Sequence, residues 1–67
     1  MYLNIGSFVN SSKNGTGIVI ENLLYCAVKN NSRYCYVVRF FNGRLDYFNS
    51  IGKNYSNSDT IRKNYLT

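Results

Sequence analysis

Hydrophobic and polar positions alternate most regularly over residues 33–49, where RYCYVVRFFNGRLDYFN sets aromatic, aliphatic and charged side chains around one Asn-Gly step. Period-two alternation marks a half-buried strand. Asn-Gly between two such runs predicts a hairpin, because a two-residue type I′ turn needs positive φ at both central positions. With Asn42 and Gly43 as the loop, Phe41 pairs with Arg44, Phe40 with Leu45, Arg39 with Asp46, Val38 with Tyr47 and Val37 with Phe48. One face then carries Tyr36, Val38, Phe40, Leu45 and Tyr47, has no charge, and is expected to be core. The other carries Cys35, Val37, Arg39, Phe41, Arg44, Asp46 and Phe48.

Upstream, LLYCAV and RYCYVV flank KNNS. A turn centred on Asn30 and Asn31 pairs Val28 with Arg33, Ala27 with Tyr34, Cys26 with Cys35, Tyr25 with Tyr36 and Leu24 with Val37. Residues 15–22, GTGIVIEN, form a β-branched strand whose glycines signal a bend or bulge, and residues 5–9, IGSFV, a short opening strand. Apolar density then drops after Asn49, and Tyr55 marks one more short strand. Ser58 is placed to cap a terminal helical turn, with Asp59 near its positive end and Ile61 and Tyr65 on one side. The expectation is an all-β domain over residues 1–57, followed by a tail or short helix over 58–67.

Composition narrows the partners more than the fold. A chain of 67 residues holds one small domain, which buries only about 60% of its unfolded surface and has no room for a deep pocket. Eight Lys and Arg against three acids give a net charge of +5, which favours anionic partners, although only 16% of residues are charged. No apolar run approaches the roughly 20 residues of a membrane span, and MYLNIGSF lacks both the basic start and the apolar stretch of a signal peptide. A soluble cytoplasmic protein without membrane contact is expected.

Catalytic chemistry finds little support. There is no His, and Glu21, Asp46 and Asp59 fall on separate elements. Two cysteines without His are a poor zinc site, and the Gly-x-Gly at 15–17 leads into a strand rather than the helix a phosphate loop needs. The residues therefore predict a non-enzyme with no metal and no cofactor. Cys26 and Cys35 fall on a rung whose Cα atoms approach to about 4.5 Å, which permits a disulfide. A cytosolic pair is normally reduced, so free thiols are expected.

In order, IGSFV, NGTGIVIE and YVVRFFNGRLDYF resemble the small SH3-like barrels of the Tudor and KOW kind. Those domains open with a short strand near a Gly, turn through Gly-x-Gly into a β-branched strand, and run a V-V-R-F strand into a Gly turn. The counterparts here are Gly6, Gly15, Gly17, residues 37–40 and Gly43, so the similarity spans residues 5–49. The Tudor-like domain appended to repair helicases looks most alike. The resemblance implies a barrel of about five strands that serves gene-expression machinery, through RNA, ribosomes or RNA polymerase. It also implies aromatic cages for methylated side chains, for which Tyr2, Tyr25, Tyr34, Tyr36, Tyr47 and Tyr55 are numerous enough, but Tyr36 and Tyr47 are assigned to the core.

From the residues themselves, Arg33, Arg39 and Arg44 with Phe41 and Phe48 share the outward face, offering cations and stacking surface to RNA or DNA. The competing reading puts Phe48, Val37 and Leu24 in a second buried layer and leaves the arginines as ordinary solubilising charges. Two further functions fit the size of the chain. One is a module that docks on a nucleic-acid-processing protein, as a phage-type inhibitor of a host enzyme would. The other is a homo-oligomer that buries the strip of Val37, Phe41 and Phe48 against itself.

Overall fold

The computed structural model describes residues 2–29 and 32–65, with the side chains of 24–29 and Ser32 outside the description. Six strands follow one another: β1 (Phe8–Ser11), β2 (Gly15–Lys29), β3 (Ser32–Phe40), β4 (Leu45–Phe48), β5 (Lys53–Asn54) and β6 (Asp59–Lys63). They pair antiparallel in the order β4-β3-β2-β1-β6-β5, a sheet that is not closed into a barrel. The expected helical turn at the C-terminus is instead β6, which pairs with β1 through Val9↔Lys63, Asn10↔Arg62 and Ser11↔Ile61. In this ladder Asp59 and Ile61 are buried at period two, whereas a helix would have set Ile61 beside Tyr65; the pairing with β1 decides between them. Within the stretch 58–67, Asp59–Lys63 thus belongs to the same sheet as the rest.

β2 is the spine. Its first residues pair with β1 (Phe8↔Ile18 to Ser11↔Gly15), and from Gly17 to Lys29 it pairs with β3, with breaks between Val19 and Glu21 and between Asn22 and Ala27. The turn-proximal rungs Val28↔Arg33 and Ala27↔Tyr34 are those expected. Beyond them the register shifts between Asn22 and Ala27, so that Tyr36 and Val37 face Asn22 and Glu21 rather than Tyr25 and Leu24. The surplus residues sit on β2, and a strand that carries surplus residues bends away from its partner. The Ala27↔Tyr34 rung belongs to the register that sets positions 26 and 35 opposite each other. Cys35 is disulfide-bonded, contrary to the free thiol expected; Cys26 lies outside the described side chains.

The β3–β4 hairpin differs from expectation by one residue. Gly43 N–H donates to the Phe40 carbonyl (3.0 Å) and Phe40 N–H to the Arg44 carbonyl (2.8 Å), which makes a three-residue loop. Gly43 has φ of 90°, while Asn42 is not in the positive-φ region. This is a type I turn followed by a left-handed Gly, not the type I′ turn of a two-residue loop. The observed rungs are Tyr36↔Phe48, Val37↔Tyr47, Val38↔Asp46 and Arg39↔Leu45. A one-residue slip turns every side chain of a strand to the other face. Phe48 is accordingly fully buried and Leu45 is 42% exposed, the reverse of their assigned places.

The core gathers Leu3, Val9, Val19, Cys35, Tyr36, Val38, Phe40, Phe48 and Ile61. Phe40 and Phe48 meet edge to face, with centroids 6.1 Å apart. Gly17 lies beneath them without a side chain, because a Cβ there would stand 2.6 Å from Phe40 Cδ1 and 2.7 Å from Val38 Cγ1. Val37 is buried as well, so β3 is covered on both faces along its middle.

Candidate nucleic-acid interface

One end of the sheet is built by two turns that both carry Asn-Gly. In the β1–β2 turn, the fully buried Asp59 gathers the chain: the hydroxyls of Ser11 (2.6 Å) and Ser12 (2.7 Å), Lys13 N–H (3.1 Å) and the Asn14 amide (3.2 Å) all donate to it. Burial pushes this carboxyl up, but the hydrogen bonds from Ser11, Ser12, Lys13 and Thr60 outweigh it and hold the pKa below its ordinary value. The ionised carboxylate thus fixes the backbone of Lys13 while the lysine side chain stays exposed.

Asn14 carries that order outward. Its side-chain oxygen accepts from the Asn42 amide (3.2 Å), and the Asn42 oxygen in turn accepts Arg44 N–H (2.9 Å). The two turns therefore flank an open cleft of about 760 Å³ lined by Lys13, Asn14, Asn42, Arg44, Leu45, Asp46 and Asn57. Its one carboxylate is engaged: Asn54 donates to one oxygen of Asp46 (2.9 Å) and Asn57 to the other (2.8 Å). Arg39 is not opposite this carboxylate, as the sequence led us to expect, but opposite Leu45.

Beside the cleft, the outer face of the sheet carries the row Phe8–Ile18–Arg39–Leu45 across four strands. Phe41 stands two residues beyond Arg39 with its side chain 68% exposed. Its backbone is fixed by an N–H bond to the Thr16 carbonyl (3.1 Å), and its ring lies 6.3 Å from that of Phe8. A large aromatic held in place yet left open to water offers a stacking face.

Of the five residues expected to bind, the structure brings Arg39, Phe41 and Arg44 to one end of the sheet. Arg33 is exposed but lies at the opposite end of β3, about 20 Å away at the strand rise of about 3.3 Å per residue. Phe48 offers no binding surface, because the one-residue slip sets it in the same core as Tyr36, Val38 and Phe40 rather than on the outer face or in a second layer there. Lys13, Asn14, Asn42 and Phe8 were not singled out, although the repeat of Asn-Gly at residues 14–15 and 42–43 was a signal that two similar turns exist. Among the described residues no cluster of His, Cys, Asp and Glu could hold a metal ion. Comparisons with protein-family models, with curated proteins and with solved structures find no match.

Proposed function

We propose that this chain is a small non-catalytic module that binds a single strand of nucleic acid at the Phe41 end of the sheet. In this reading Phe41 stacks on a base, Arg39 lies beside it, and Lys13 and Arg44 take phosphates across the cleft. The observation that carries it is the coincidence of a fixed, exposed aromatic with three cations on neighbouring turns and strands. The strand order, in which β6 returns beside β1 after a meander of β1 to β4, supports the SH3-like architecture that the sequence resembles.

A second reading has its own observation. Ile20 and Leu45 are exposed aliphatics on this side of the sheet, which suits docking on a nucleic-acid-processing protein, as an inhibitory module would. Fluorescence anisotropy with labelled single-stranded DNA, RNA and duplex DNA at two salt concentrations separates the two. The expected result is single-strand binding that falls by about 1.4 log units per log unit of salt, from two phosphates at roughly 0.7 each. Arg39→Glu with Arg44→Glu should abolish binding with the circular dichroism spectrum unchanged. Phe41→Ala should cost about 1 to 3 kcal/mol of affinity and leave the salt slope unchanged. Arg33→Glu, at the far end of β3, should have little effect. A wild-type protein that binds none of these nucleic acids at low salt overturns the proposal in favour of protein docking.

A further inference from the structure

A second aromatic and cationic site lies on the other side of the sheet's midline, where the two ends of the described chain meet. Tyr2 and Tyr65 are 73% and 84% exposed, and with Leu3, Arg62 and Lys63 they line an open groove of about 540 Å³. Neither ring hangs from a loose segment. Leu3, next to Tyr2, is buried; its N–H donates to the Tyr36 hydroxyl (3.2 Å), and its carbonyl accepts from the Asn22 amide (2.9 Å). Next to Tyr65, Asn64 N–H donates to the Phe8 carbonyl (2.8 Å). Lys63 Nζ stands 5.5 Å from the centroid of the Tyr65 ring, a cation–π contact at one face. No acidic residue lines the groove among the described residues.

We infer that this groove is a second subsite for the same single strand of nucleic acid, an inference that rests on the function proposed above. Two exposed rings between two cations, with no carboxylate to repel a phosphate, match a base-and-backbone ligand better than an apolar one. Placement supports one continuous ligand. Arg62 pairs with Asn10, Asn10 with Thr16, and the Thr16 carbonyl accepts from Phe41 N–H, so one row joins Arg62, at the rim of the groove, to the first site, while Lys63 pairs with the buried Val9. Three strand spacings make about 14 Å, which is about four nucleotides at the 3.4 Å rise of a stacked strand. A strand laid across the sheet would therefore meet Phe41 first and Arg62, which lines the same groove as the tyrosines, a few nucleotides later.

Length dependence tests this on the full chain. Oligothymidylates of 2 and 12 nucleotides are titrated against wild type and against Tyr2→Ala with Tyr65→Ala, with circular dichroism to verify the fold. The short oligomer spans only one site, so its affinity should be unchanged by the double substitution. The long one should bind wild type more tightly than the short one and lose about tenfold or more in the variant. Arg62→Glu with Lys63→Glu should lower the salt slope for the 12-mer and leave that of the 2-mer unchanged. If wild type binds both lengths equally, or the variant keeps its 12-mer affinity, the second subsite is refuted while the Phe41 site stands. If wild type binds neither length, the proposed function falls and the subsite with it.

Discussion

At the scale of single residues, the molecule depends most on a charge placed inside it. Asp59 is fully buried, yet five groups of the chain donate to it, including residues 45 to 48 positions earlier. Hydrogen bonds to the ionised form lower a carboxyl pKa, and here they prevail over burial, so the folded value lies below the ordinary 3.8. The sign of the pH dependence follows. The stabilisation is complete above about pH 4, where the unfolded chain's carboxyl is also ionised, and is lost as pH falls through the lower folded value. Asp59→Asn puts an NH₂ group among donors, and should cost on the order of 2 kcal/mol near neutrality. The gap between wild type and variant in urea midpoint should be constant from pH 7 to 5 and narrow towards pH 3. A gap of the same size at pH 3 would mean that the carboxylate's charge is not what holds the β1–β2 turn.

At the scale of elements, the core face of β3 was legible, but its other face, where Cys35 and Val37 are buried, and the faces of β4 were not. Tyr36, Val38 and Phe40 alternate without a charge, and all three are buried. The face that β4 shows depends on whether the loop has two or three residues, and Asn-Gly serves both. Two interactions favour three: the Asn42 side chain captures Arg44 N–H, and Phe41 N–H bonds the Thr16 carbonyl on β2. The second joins residues far apart in sequence, so no local pattern of hydrophobic and polar positions could have revealed it. The candidate site was legible to the same extent. Arg39 and Phe41 follow from β3's alternation, whereas the cleft needs Asp59 and Asn14 to bring two turns together. The register makes a sharp prediction. Phe48→Ala should cost about 3 to 5 kcal/mol, the range for a core aromatic, and Leu45→Ala roughly 1 kcal/mol or less. The two-residue loop would reverse that ranking, and urea denaturation of both variants decides between them.

At the scale of the whole molecule, the last strand makes the sheet one unit. DTIRK is too short for its period to separate strand from helix by pattern, and what settles it is long-range: β6 pairs with β1, and Ile61 enters a core otherwise drawn from residues 3–48. Asp59 reaches Ser11 across 48 positions of sequence, so the β1–β2 turn, the cleft and the last strand form together. The two ends of the sheet are also tied, since the 49–52 turn leads β4 into β5 and the Asn54 amide donates to the Tyr47 carbonyl (3.0 Å). The radius of gyration is 10.6 Å, near the roughly 11 Å of a folded domain of this length. A chain ended at residue 57 removes β6's ladder with β1, the Ile61 side chain and the one acceptor shared by Ser11, Ser12, Lys13 and Asn14. In a domain whose whole stability is about 5 to 15 kcal/mol or less, these losses together exceed what remains. The shortened chain should therefore give no cooperative thermal transition under conditions where the full chain does. A cooperative transition in the shorter chain would restore residues 58–67 to the status of an appended tail.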